Sequence, residues 1–538
     1  MIPVANVRDM RARQTEWTWR HPADDSCTLA FEVRDRPILD ILEDAAGRAP
    51  RAPALVGSTQ TLSYGEICDI AKRVAALIDA HLAPGEPLAT VLPHSPTGLA
   101  ALFGCLATGR ICTVLNGEDP APRLAMMLHS ARPSLVVAGG SGVECARDAG
   151  LPHIALDVAL AAPGSPAARY PNTDDFDAPA VVHFTSGSSG IPKGIVVSRR
   201  GLLYRAALTQ RSLQLASTDA VVATSRANTA SGLAFVLATI DVGARLLVAD
   251  LATEGATSLM GLVRRERATV LIFPPPVFRM LGRLEDAAQT FAAARVLRSG
   301  AAGLKAEDIA NWRTILPASC GISHTYASTE ATIVAEWWLP EDLAKYGSVV
   351  PAGYLVPGQE YALIDADGQD VRSGEAGELV LRGPHIALGE WSDGQLVPGR
   401  MEPDPRRQGW RVFRTGDVMR IGSEGLLRFV ARTDRQIKIN GTRVEPAEIE
   451  AVLLADPAVS DAAVVARTLP TGMALFAFVA APSVDPTSLH AALLARLRAN
   501  LAPSLWPSNL TVLESLPALP SGKIDTTALL GLVEGSGS

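Results

Sequence analysis

The sequence predicts an α/β fold, with a large N-terminal domain of layered α/β subdomains plus a β-rich subdomain, and a small α+β C-terminal domain. Three observations predict it. Helical and extended patterns alternate from about residue 38 to residue 280, short strands with turn signals follow from about 350 to 430, and a separate helix-and-strand pattern begins after Gly441. Alternating strands and helices are typical of layered α/β architectures with largely parallel sheets.

The first region alternates helical and extended apolar segments. Residues 37–42 open a helical pattern, and residues 54–56 and 88–91 are short apolar runs typical of buried strands. Residues 126–130 and 135–138 repeat this order of helix and strand. We therefore expect helices packed on parallel sheets.

Turn signals mark the later regions. The tetrapeptides DADG at 365–368 and GSEG at 422–425 interrupt short extended runs, which indicates a β-rich subdomain. Pro446 suits the first turn of a helix, and strands followed by a further helix are predicted over residues 462–501. These last elements form the small C-terminal domain.

Composition and charge narrow the class of protein. The 538 residues are 48% hydrophobic and 20% charged, which is typical of a folded chain with a large core. A net charge of −7 argues against a nucleic-acid partner. Six dispersed cysteines without a C-x-x-C pair predict neither disulfides nor a zinc site. Because no signal-peptide pattern and no membrane span are evident, we expect a cytoplasmic protein without membrane partners.

The most informative segment, residues 181–200, reads VVHFTSGSSGIPKGIVVSRR. An apolar strand pattern ends in a loop of glycines and hydroxylic residues, and the loop also carries a lysine. Glycines let a backbone approach an anion closely, while hydroxyl and ammonium groups bind its oxygens. The predicted phosphate loop consists of Thr185, Ser186, Gly187, Ser188, Ser189, Gly190 and Lys193.

This loop differs from the P-loop of ATPases. In that motif Gly-Lys precedes Ser or Thr and opens directly into a helix. Here Pro192 precedes the lysine, Gly194 follows it, and residues 195–197 form another strand pattern before a helix begins near Ser198. The alternative interpretation is a surface turn rich in serine and glycine, which the lysine, the proline and the flanking strands disfavour.

Three further segments carry side chains that suit a nucleotide. The heptad HTYASTE at 324–330 contains a tyrosine for base stacking and a glutamate for Mg²⁺, which prefers oxygen ligands and shares them with phosphates. RTGD at 414–417 places an aspartate beside a glycine turn, where a carboxylate can accept ribose hydroxyls. LPSGKID at 519–525 places a lysine on a tight turn. Each segment alone is also compatible with an ordinary loop.

Together the segments form a pattern. Six motifs follow one another over about 460 residues: LSYGEI at 62–67, TSGSSGIPKG at 185–194, YASTE at 326–330, RTGD at 414–417, GTRVE at 441–445 and PSGKID at 520–525. By these motifs the sequence resembles the superfamily of adenylate-forming enzymes, which includes acyl-CoA synthetases, adenylation domains of nonribosomal peptide synthetases, and firefly-type luciferases. It is similar in character to a stand-alone adenylation domain.

The resemblance implies an N-terminal domain of residues 1–433 that binds nucleotide and acid, and a mobile C-terminal domain of residues 434–538, with the hinge at Asp434. It also implies an AMP-forming acid–thiol ligase with ATP and Mg²⁺ as cofactors. A carboxylate attacks the α-phosphorus of ATP to give an acyl-adenylate and pyrophosphate. A thiol then takes the acyl group.

The resemblance also implies residue roles. The catalytic residues are Lys523, Glu330, Thr185 and Lys193; Glu330 holds the magnesium ion, and Lys523 lies between the acyl carboxylate and the α-phosphate. Such charges offset the repulsion between two anions and align them. The nucleotide contacts are Ser186, Gly187, Ser188, Ser189, Gly190, Ser299, Gly300, Ala301, Ala302, Tyr326, Ala327, Ser328, Thr329, Asp417, Arg432 and Lys438.

The substrate side departs from the amino-acid-activating relatives. Those relatives carry an aspartate for the substrate ammonium in the segment that corresponds to residues 226–232, and RANTASG contains none. A buried ammonium without a carboxylate is costly, so a standard α-amino acid is disfavoured. We expect a small carboxylic acid without an α-amino group (aryl, keto or short acyl), with an unusual amino acid or a fatty acid as alternatives.

The predicted acid pocket favours a compact substrate over a long chain, because most of its side chains are small or apolar. Each of them could instead simply pack the core. Two departures on the nucleotide side, alanine within residues 299–302 and the pair Ala327 and Ser328, are mild and leave the nucleotide assignments intact. The pocket residues are Asn228, Thr229, Pro276, Leu297, Thr325, Ile333 and Val334.

The acyl acceptor stays open between the phosphopantetheine thiol of a separate carrier protein, which the PSGKID and GTRVE motifs favour, and coenzyme A. No carrier-domain motif follows residue 525, so we expect a free-standing carrier protein as partner. A rival of another class is an inactive nucleotide-binding scaffold. The presence of Lys193, Glu330, Asp417 and Lys523 favours an enzyme.

Overall fold

The computed structural model of the chain describes residues 36–119, 121–162, 175, 177–185, 193–300, 303–356, 358–433, 437–439, 442–444, 446–469, 472–482, 486–501, 506–519 and 523–535. The chain divides into two compact units. The larger unit contains the described residues up to Tyr361 and residues 381–414, and the smaller unit contains residues 362–380 and the described residues from Thr415 onward. The predicted boundary between residues 433 and 434 differs from this division and stays a prediction. Asp434 lies outside the described residues.

The strands are, in chain order, β1 Pro53–Val56, β2 Thr61–Ser63, β3 Leu88–Leu92, β4 Cys112–Asn116, β5 Leu135–Ala138, β6 His153–Ala155, β7 Pro179–Thr185, β8 Lys193–Ser198, β9 Ala220–Ala223, β10 Arg245–Leu247, β11 Val270–Ile272, β12 Val296–Gly300, β13 Gly321–Ser328, β14 Thr332–Trp338, β15 Tyr354–Leu355, β16 Glu360–Ile364, β17 Ala376–Gly383, β18 Gly389–Ser392, β19 Gln395–Val397, β20 Met401–Pro403, β21 Arg411–Ile421, β22 Leu427–Arg432, β23 Ile437–Ile439, β24 Thr442–Val444, β25 Asp461–Leu469, β26 Gly472–Ala480 and β27 Asn509–Leu513.

The helices are α1 Ile38–Arg48, α2 Tyr64–His81, α3 Pro96–Ala107, α4 Ala121–Ala131, α5 Ser141–Asp148, α6 Leu156–Ala161, α7 Arg199–Leu213, α8 Ala230–Val242, α9 Leu251–Glu266, α10 Pro275–Leu281, α11 Ala287–Thr290, α12 Ala306–Arg313, α13 Pro446–Leu454, α14 Pro486–Asn500 and α15 Thr526–Gly535. Among the helices described, none has the length and apolar character to cross a bilayer.

Two mixed sheets form the larger unit. One has the strand order β15-β14-β13-β12-β11-β9-β10-β1-β2, and the other has the order β19-β18-β8-β7-β4-β3-β5-β6. Their central strands pair in parallel, as in β12 with β13 and β3 with β4. Strands toward three of the four sheet edges pair antiparallel, as in β13 with β14 and β7 with β8, whereas the edge strand β6 pairs in parallel with β5. The predicted α/β class is confirmed, and the sheets combine parallel with antiparallel pairs.

Local sequence signals explain where the principal helices of this unit begin. Ser63 starts α2 with a capping box, because its hydroxyl accepts from the Glu66 amide and the Glu66 carboxylate accepts from the Ser63 amide at 2.8 Å. The neighbouring Tyr64 is buried, and its hydroxyl donates to the Ala244 carbonyl at 2.6 Å. The LSYGEI motif therefore anchors a helix. Ser198 caps α7 through its hydroxyl, which accepts from the Gly201 amide at 3.0 Å, as its position in the sequence predicts.

The main core of the larger unit lies where α1, α2, α3 and α8 pack with the sheet strands. Leu42, Ile67, Leu88 and Leu233 have no exposed surface there. Burial of each such side chain contributes about 1.5–3 kcal/mol. This core holds the strand ends that carry the candidate site.

The smaller unit has its own core, built from one sheet face and two helices. β25 and β26 pair antiparallel, and β26 and β27 pair in parallel. Helices α13 and α14 pack Ile449, Leu453, Leu493 and Leu497 into a cluster with the apolar side chains of these strands. The predicted α+β pattern after Gly441, with Pro446 in the first turn of a helix, is confirmed.

A buried ion pair ties β12 and β14 together in the larger unit. Glu336 has no exposed surface, and its Oε1 lies 2.6 Å from Nη2 of Arg298. The hydroxyl of Ser323 donates to Oε1 and that of Ser212 on α7 donates to Oε2, each at 2.5 Å. A carboxylate in a dry interior needs such partners. Because Arg298 immediately precedes Ser299, this network lies next to the predicted nucleotide residues.

We predict that Arg298→Met lowers the free energy of unfolding of the larger unit by about 3–5 kcal/mol, because it leaves the Glu336 carboxylate buried without its counter-charge. The double variant Arg298→Met/Glu336→Gln should recover part of this loss, since the amide of glutamine needs no cation. Urea unfolding measures both. As a matched control, Arg264→Met breaks an exposed pair with Asp286 and should cost less than about 1 kcal/mol. Equal losses in the two single variants would contradict this role.

Candidate nucleotide and acid site

The strands on either side of the predicted phosphate loop pair directly. Thr185 ends β7 opposite Lys193, the first residue of β8, and its hydroxyl donates to the Lys193 carbonyl at 3.4 Å. The Lys193 side chain is 47% exposed, and its Nζ lies 3.5 Å from a Glu390 carboxylate oxygen. The strand assignments around the loop are confirmed. The loop residues Ser186, Gly187, Ser188, Ser189 and Gly190 lie outside the described residues.

The ends of β12 and β13 form a closely packed wall. Ser299 is paired with His324, and Gly300 with Thr325, in a parallel register. A Cβ added to Gly300 would lie 2.4 Å from the Thr325 hydroxyl and 2.6 Å from its carbonyl oxygen, so this position requires glycine. The buried Ser299 hydroxyl donates to the Phe273 carbonyl at 2.9 Å. Ala301 and Ala302, which the sequence predicts to continue this wall, lie outside the described residues.

The pairing of β13 with β14 becomes irregular at the predicted nucleotide residues. The register shifts between Tyr326 and Ala327, where Tyr326 is half-buried and Ala327 is exposed. A turn follows, in which the Ser328 hydroxyl accepts from the Ala331 amide at 3.0 Å. Thr332 then has a φ of +64°, which is rare for a β-branched residue. The turn 328–331 thus projects from a sheet edge between a bulge and a strained residue.

The turn is held by Arg205 on α7, a residue that the sequence reasoning missed. Its guanidinium donates to the carbonyls of Ser328 and Thr329, and the side chain is buried. Burial lowers the pKa of Arg205 to about 10, although the negative charge of the nearby Glu330 carboxylate raises this pKa. The available signal was an arginine inside the mostly apolar run GLLYRAAL of residues 201–208. A single arginine in a helix is usually a surface residue, so that signal was weak.

Glu330 is half-buried on this turn. Its backbone carbonyl accepts from the Ala387 amide at 2.8 Å. Within the part of the chain that the structure describes, its carboxylate makes no hydrogen bond or ion pair, and no group of three or more His, Cys, Asp or Glu side chains could hold a metal. A single available carboxylate fits Mg²⁺, which is commonly bound by one or two carboxylates together with substrate phosphates.

In the smaller unit, the predicted ribose residues lie side by side. Asp417 on β21 is paired with Arg432 on β22, and their side chains form an ion pair at 2.5 Å. Gly416 has a φ of +72°, so the turn before Asp417 uses a conformation that favours glycine. The Thr415 hydroxyl accepts from the Asp417 amide at 3.0 Å. The structure therefore brings Asp417 and Arg432 together, with the aspartate buried and the arginine partly exposed.

Lys523 also belongs to the smaller unit, where it is exposed. Its carbonyl accepts from the Leu519 amide at 2.8 Å, which is consistent with the predicted tight turn. Asp525 accepts at 3.0 Å from the amides of Thr527 and Ala528 at the start of α15. The backbone of Lys438 lies in β23.

The segment before α8 borders a small cavity of about 20 Å³ with both apolar and polar lining residues, which is large enough for a water molecule. The Oδ1 atom of Asn228 and the hydroxyl of Thr90 are buried without a hydrogen-bond partner among the described residues. By contrast, the Thr229 hydroxyl accepts from the Gly232 amide and donates to a backbone carbonyl. Thr229 therefore caps α8. The polar side chains around the cavity are Thr90, His94, Asn116, Arg226 and Asn228.

The other predicted pocket residues differ in exposure. Leu297 and Val334 have no exposed surface, and Thr325 is also buried. Ile333 packs with Tyr204 and other apolar side chains on the α7 side of its sheet. Pro276 is exposed at the start of α10. The role of these residues in binding an acid stays a prediction.

Two buried histidines lie beside the predicted site residues. The Nδ1 of His183 is 2.9 Å from the Asn228 carbonyl, and the Nδ1 of His324 is 3.2 Å from the Ser299 carbonyl. Because a carbonyl only accepts, each Nδ1 carries the proton. Burial lowers the pKa of both imidazoles to about 4, so both are neutral at pH 7.

Comparison with protein families identifies the chain. The model described as "AMP-binding enzyme" matches residues 42–391, and the model described as "AMP-binding enzyme C-terminal domain" matches residues 448–523. The chain belongs to the AMP-binding enzyme family. It is an adenylate-forming enzyme and an AMP-forming ligase, which confirms the superfamily that the motifs indicate.

Among curated proteins, the chain is similar to large synthetases. It is 30% identical over 511 residues to an isonitrile lipopeptide synthase of Streptomyces coeruleorubidus, covering 92% of this chain and 33% of that protein. It is 31% identical over 505 residues to a dimodular nonribosomal peptide synthase of Bacillus subtilis, covering 91% and 20%. The chain thus spans a third or less of the length of these two relatives.

Solved structures show the same fold. Klebsiella oxytoca NpsA in complex with 3-hydroxyanthranilyl-AMSN has a TM-score of 0.80 and 21% identity, with 93% of this chain and all of that chain covered. The anthranilate CoA ligase AuaEII in complex with anthranoyl-AMP has a TM-score of 0.77 and 21% identity, with 93% and 99% covered. The predicted fold class is confirmed by these matches.

We predict that the larger unit loses stability as the pH falls from 6.5 toward 4. The ordinary histidine pKa is 6.5 and the folded value is about 4, so over this range the unfolded chain binds protons that the folded chain does not. Between pH 7.5 and pH 5, the free energy of unfolding should fall by about 1–2 kcal/mol less in His183→Asn than in the wild type. The reason is that asparagine still donates to the Asn228 carbonyl and does not titrate. Urea unfolding at the two pH values measures this. Identical losses in variant and wild type would contradict it.

Proposed function

We propose that this chain activates a small carboxylic acid with ATP as an acyl-adenylate and then transfers the acyl group to the phosphopantetheine thiol of a separate carrier protein. The observation that carries the proposal is the turn 328–331. This turn carries Glu330 and follows β13, the strand on which Thr325 packs closely against Gly300. The family to which the chain belongs supports the nucleotide chemistry.

The first step joins two anions. A carboxylate oxygen attacks the α-phosphorus of ATP, the bond from that phosphorus to the bridging oxygen breaks, and pyrophosphate leaves. In the second step the thiol attacks the acyl carbon, the acyl–oxygen bond breaks, and AMP leaves with the carboxylate oxygen. The thiol proton goes to solvent or to a base. Both steps need the negative charge on phosphate to be offset and the reacting atoms to be aligned.

In this proposal the larger unit binds the phosphates and the base. Thr185 and Lys193, with the predicted loop between them, bind the β- and γ-phosphates. Glu330 holds Mg²⁺, which would neutralise part of the phosphate charge when bound. Tyr326 stacks on adenine beside the end of β12, which Gly300 forms.

In the smaller unit, Asp417 and Arg432 position the ribose. Their ion pair at 2.5 Å supports this role, because it fixes the carboxylate before the nucleotide arrives. Lys523 supplies an ammonium group between the acyl carboxylate and the α-phosphate. Its exposure in the smaller unit is consistent with a side chain that pairs with substrate. We also propose rotation of the C-terminal domain about Asp434 between the two steps.

The charges near Asn228 support an acid without an α-amino group. Asp250 contacts the segment 226–232 through Arg226, whose Nη2 lies 2.6 Å from Asp250 Oδ1; this oxygen also accepts from the Ala252 amide, while Oδ2 is buried without a partner among the described residues. The positive charge of Arg226 therefore already offsets the charge of this carboxylate. Asn228 offers a buried amide oxygen instead of a charge. A neutral acceptor suits a hydroxyl or other neutral donor on the acid better than it suits an ammonium group.

The similarity to peptide synthetases supports a carrier protein as the acceptor. Acyl transfer to a phosphopantetheinylated carrier protein should therefore exceed transfer to free coenzyme A at equal thiol concentration. If a product formed only with coenzyme A, the carrier protein would be wrong as the acceptor and the chain would act as an acyl-CoA ligase.

ATP–pyrophosphate exchange tests the activation step with aryl, keto, short acyl and common α-amino acids. We expect exchange with acids of the first three classes. With the most active acid, Lys523→Ala should lower the exchange rate by about 10²–10³-fold, because a charge that stabilises the transition state is lost. Binding of a non-hydrolysable ATP analogue should change little. Lys72→Ala, which breaks an exposed pair with Glu43, is the matched control and should leave exchange unchanged.

Two results would contradict these roles. An unimpaired exchange rate in Lys523→Ala would remove the lysine from the activation step. Activity confined to common α-amino acids would overturn the interpretation of the Asn228 segment.

A further inference from the structure

Helix α7 contacts the turn 328–331 through a side chain that neither the motifs nor the proposed reaction includes. Arg205 is 3% exposed, and its Nη2 and Nη1 donate to the carbonyls of Thr329 and Ser328, the latter at 3.5 Å. A planar guanidinium can hold two neighbouring carbonyls at once. The backbone immediately before Glu330 is therefore fixed to a helix of the core.

The same helix also fixes a second segment that contacts this turn. Tyr204, next to Arg205, stacks on His385 with ring centroids 3.5 Å apart and planes 7° from parallel. Two residues after His385, the Ala387 amide donates to the Glu330 carbonyl at 2.8 Å. The backbone of Glu330 is thus held on one side through Arg205 and on the other through the segment of His385.

The turn needs these contacts because its backbone conformation is energetically unfavourable. Thr332 has a φ of +64°, and a β-branched residue rarely adopts this region. Such strain persists only where surrounding contacts impose it, and it is common at functional sites. Without Arg205, two carbonyl groups would also lose a buried donor.

The Nη1 and Nη2 donors of Arg205 are used on backbone carbonyls, whereas its buried Nε has no hydrogen-bond partner among the described residues. Although the guanidinium attracts the Glu330 carboxylate electrostatically, no ion pair or hydrogen bond joins these two side chains in the described structure. The arginine therefore fixes the position of Glu330 and leaves its oxygens available for another ligand.

We propose that Arg205 is a positioning residue that places the Glu330 carboxylate for the divalent cation of a bound nucleotide, an inference that rests on the proposed function. Arg205 does not touch the nucleotide. Arg205 lowers the free energy needed to order the turn before the cation binds.

The variant Arg205→Lys distinguishes the positioning of the turn by the guanidinium from the effect of its positive charge. Arg205→Lys keeps a positive charge, but an ammonium group lacks the planar fork that spans two carbonyls. Arg205→Met removes both. If geometry matters, the lysine variant should be impaired, and if only charge matters, it should behave like the wild type.

Binding of α,β-methylene-ATP, measured by calorimetry over a range of Mg²⁺ concentrations, tests the proposal without an acid substrate. We expect the Mg²⁺ concentration at half-maximal enhancement of binding to rise about tenfold or more in Arg205→Met and by a smaller factor in Arg205→Lys. Binding of the analogue without Mg²⁺ should change less than about twofold. Glu330→Gln should abolish the enhancement by Mg²⁺.

Arg110→Met is the matched control. Arg110 is a buried arginine that donates to the carbonyls of Leu82 and Ala83, away from the turn. Its loss should lower thermal stability and leave the Mg²⁺ dependence unchanged, which separates a general loss of stability from a positioning effect.

Several results would overturn the inference. An unchanged Mg²⁺ dependence in folded Arg205→Met would do so, and so would equal weakening with and without Mg²⁺. If Arg205→Met does not fold, an unchanged dependence in Arg205→Lys has the same meaning. Failure of the wild-type chain to bind the analogue would instead overturn the proposed function, and the inference with it.

Discussion

The contact between a buried guanidinium and two backbone carbonyls underlies the organisation of the candidate site. Arg205 holds the turn that carries Glu330, and the ion pair of Arg298 and Glu336 holds the strands from which that turn projects. Both arginines lie in the interior: Arg298 is paired with a carboxylate, and Arg205 donates to backbone carbonyls. The turn is consequently fixed while the Glu330 carboxylate remains available.

This arrangement matches the physical difficulty of the reaction. A carboxylate and a triphosphate repel each other, and an enzyme has to supply positive charge where negative charge accumulates. The described residues place candidate cations in both units, with Lys193 at the start of β8 in the larger unit and Lys523 in the smaller unit. Asp417 is already paired with Arg432, so the carboxylate that we propose for the ribose is positioned in advance. Each unit therefore contributes a separate part of the chemistry that we propose.

Much of the fold followed from local patterns, because strand and helix periodicities and caps are local. The strand at residues 195–197 and the helix after Ser198 are examples. Antiparallel pairing such as β8 with β18 depends on partners distant in sequence and was not predicted. In the candidate site, the motif residues could be proposed because their chemistry is visible in a sequence. Arg205 was missed, since a lone arginine in a helix indicates a buried role only when its carbonyl partners are known.

Isotope transfer tests the central chemical claim most directly. An acid labelled with ¹⁸O in its carboxylate is incubated with the enzyme, ATP, Mg²⁺ and a thiol acceptor, and the AMP is analysed by mass spectrometry. Attack at the α-phosphorus predicts one ¹⁸O atom in AMP, because the carboxylate oxygen stays on phosphorus when the acyl group leaves. Formation of ADP with the label in inorganic phosphate, or of AMP without label, would contradict adenylation of the acid.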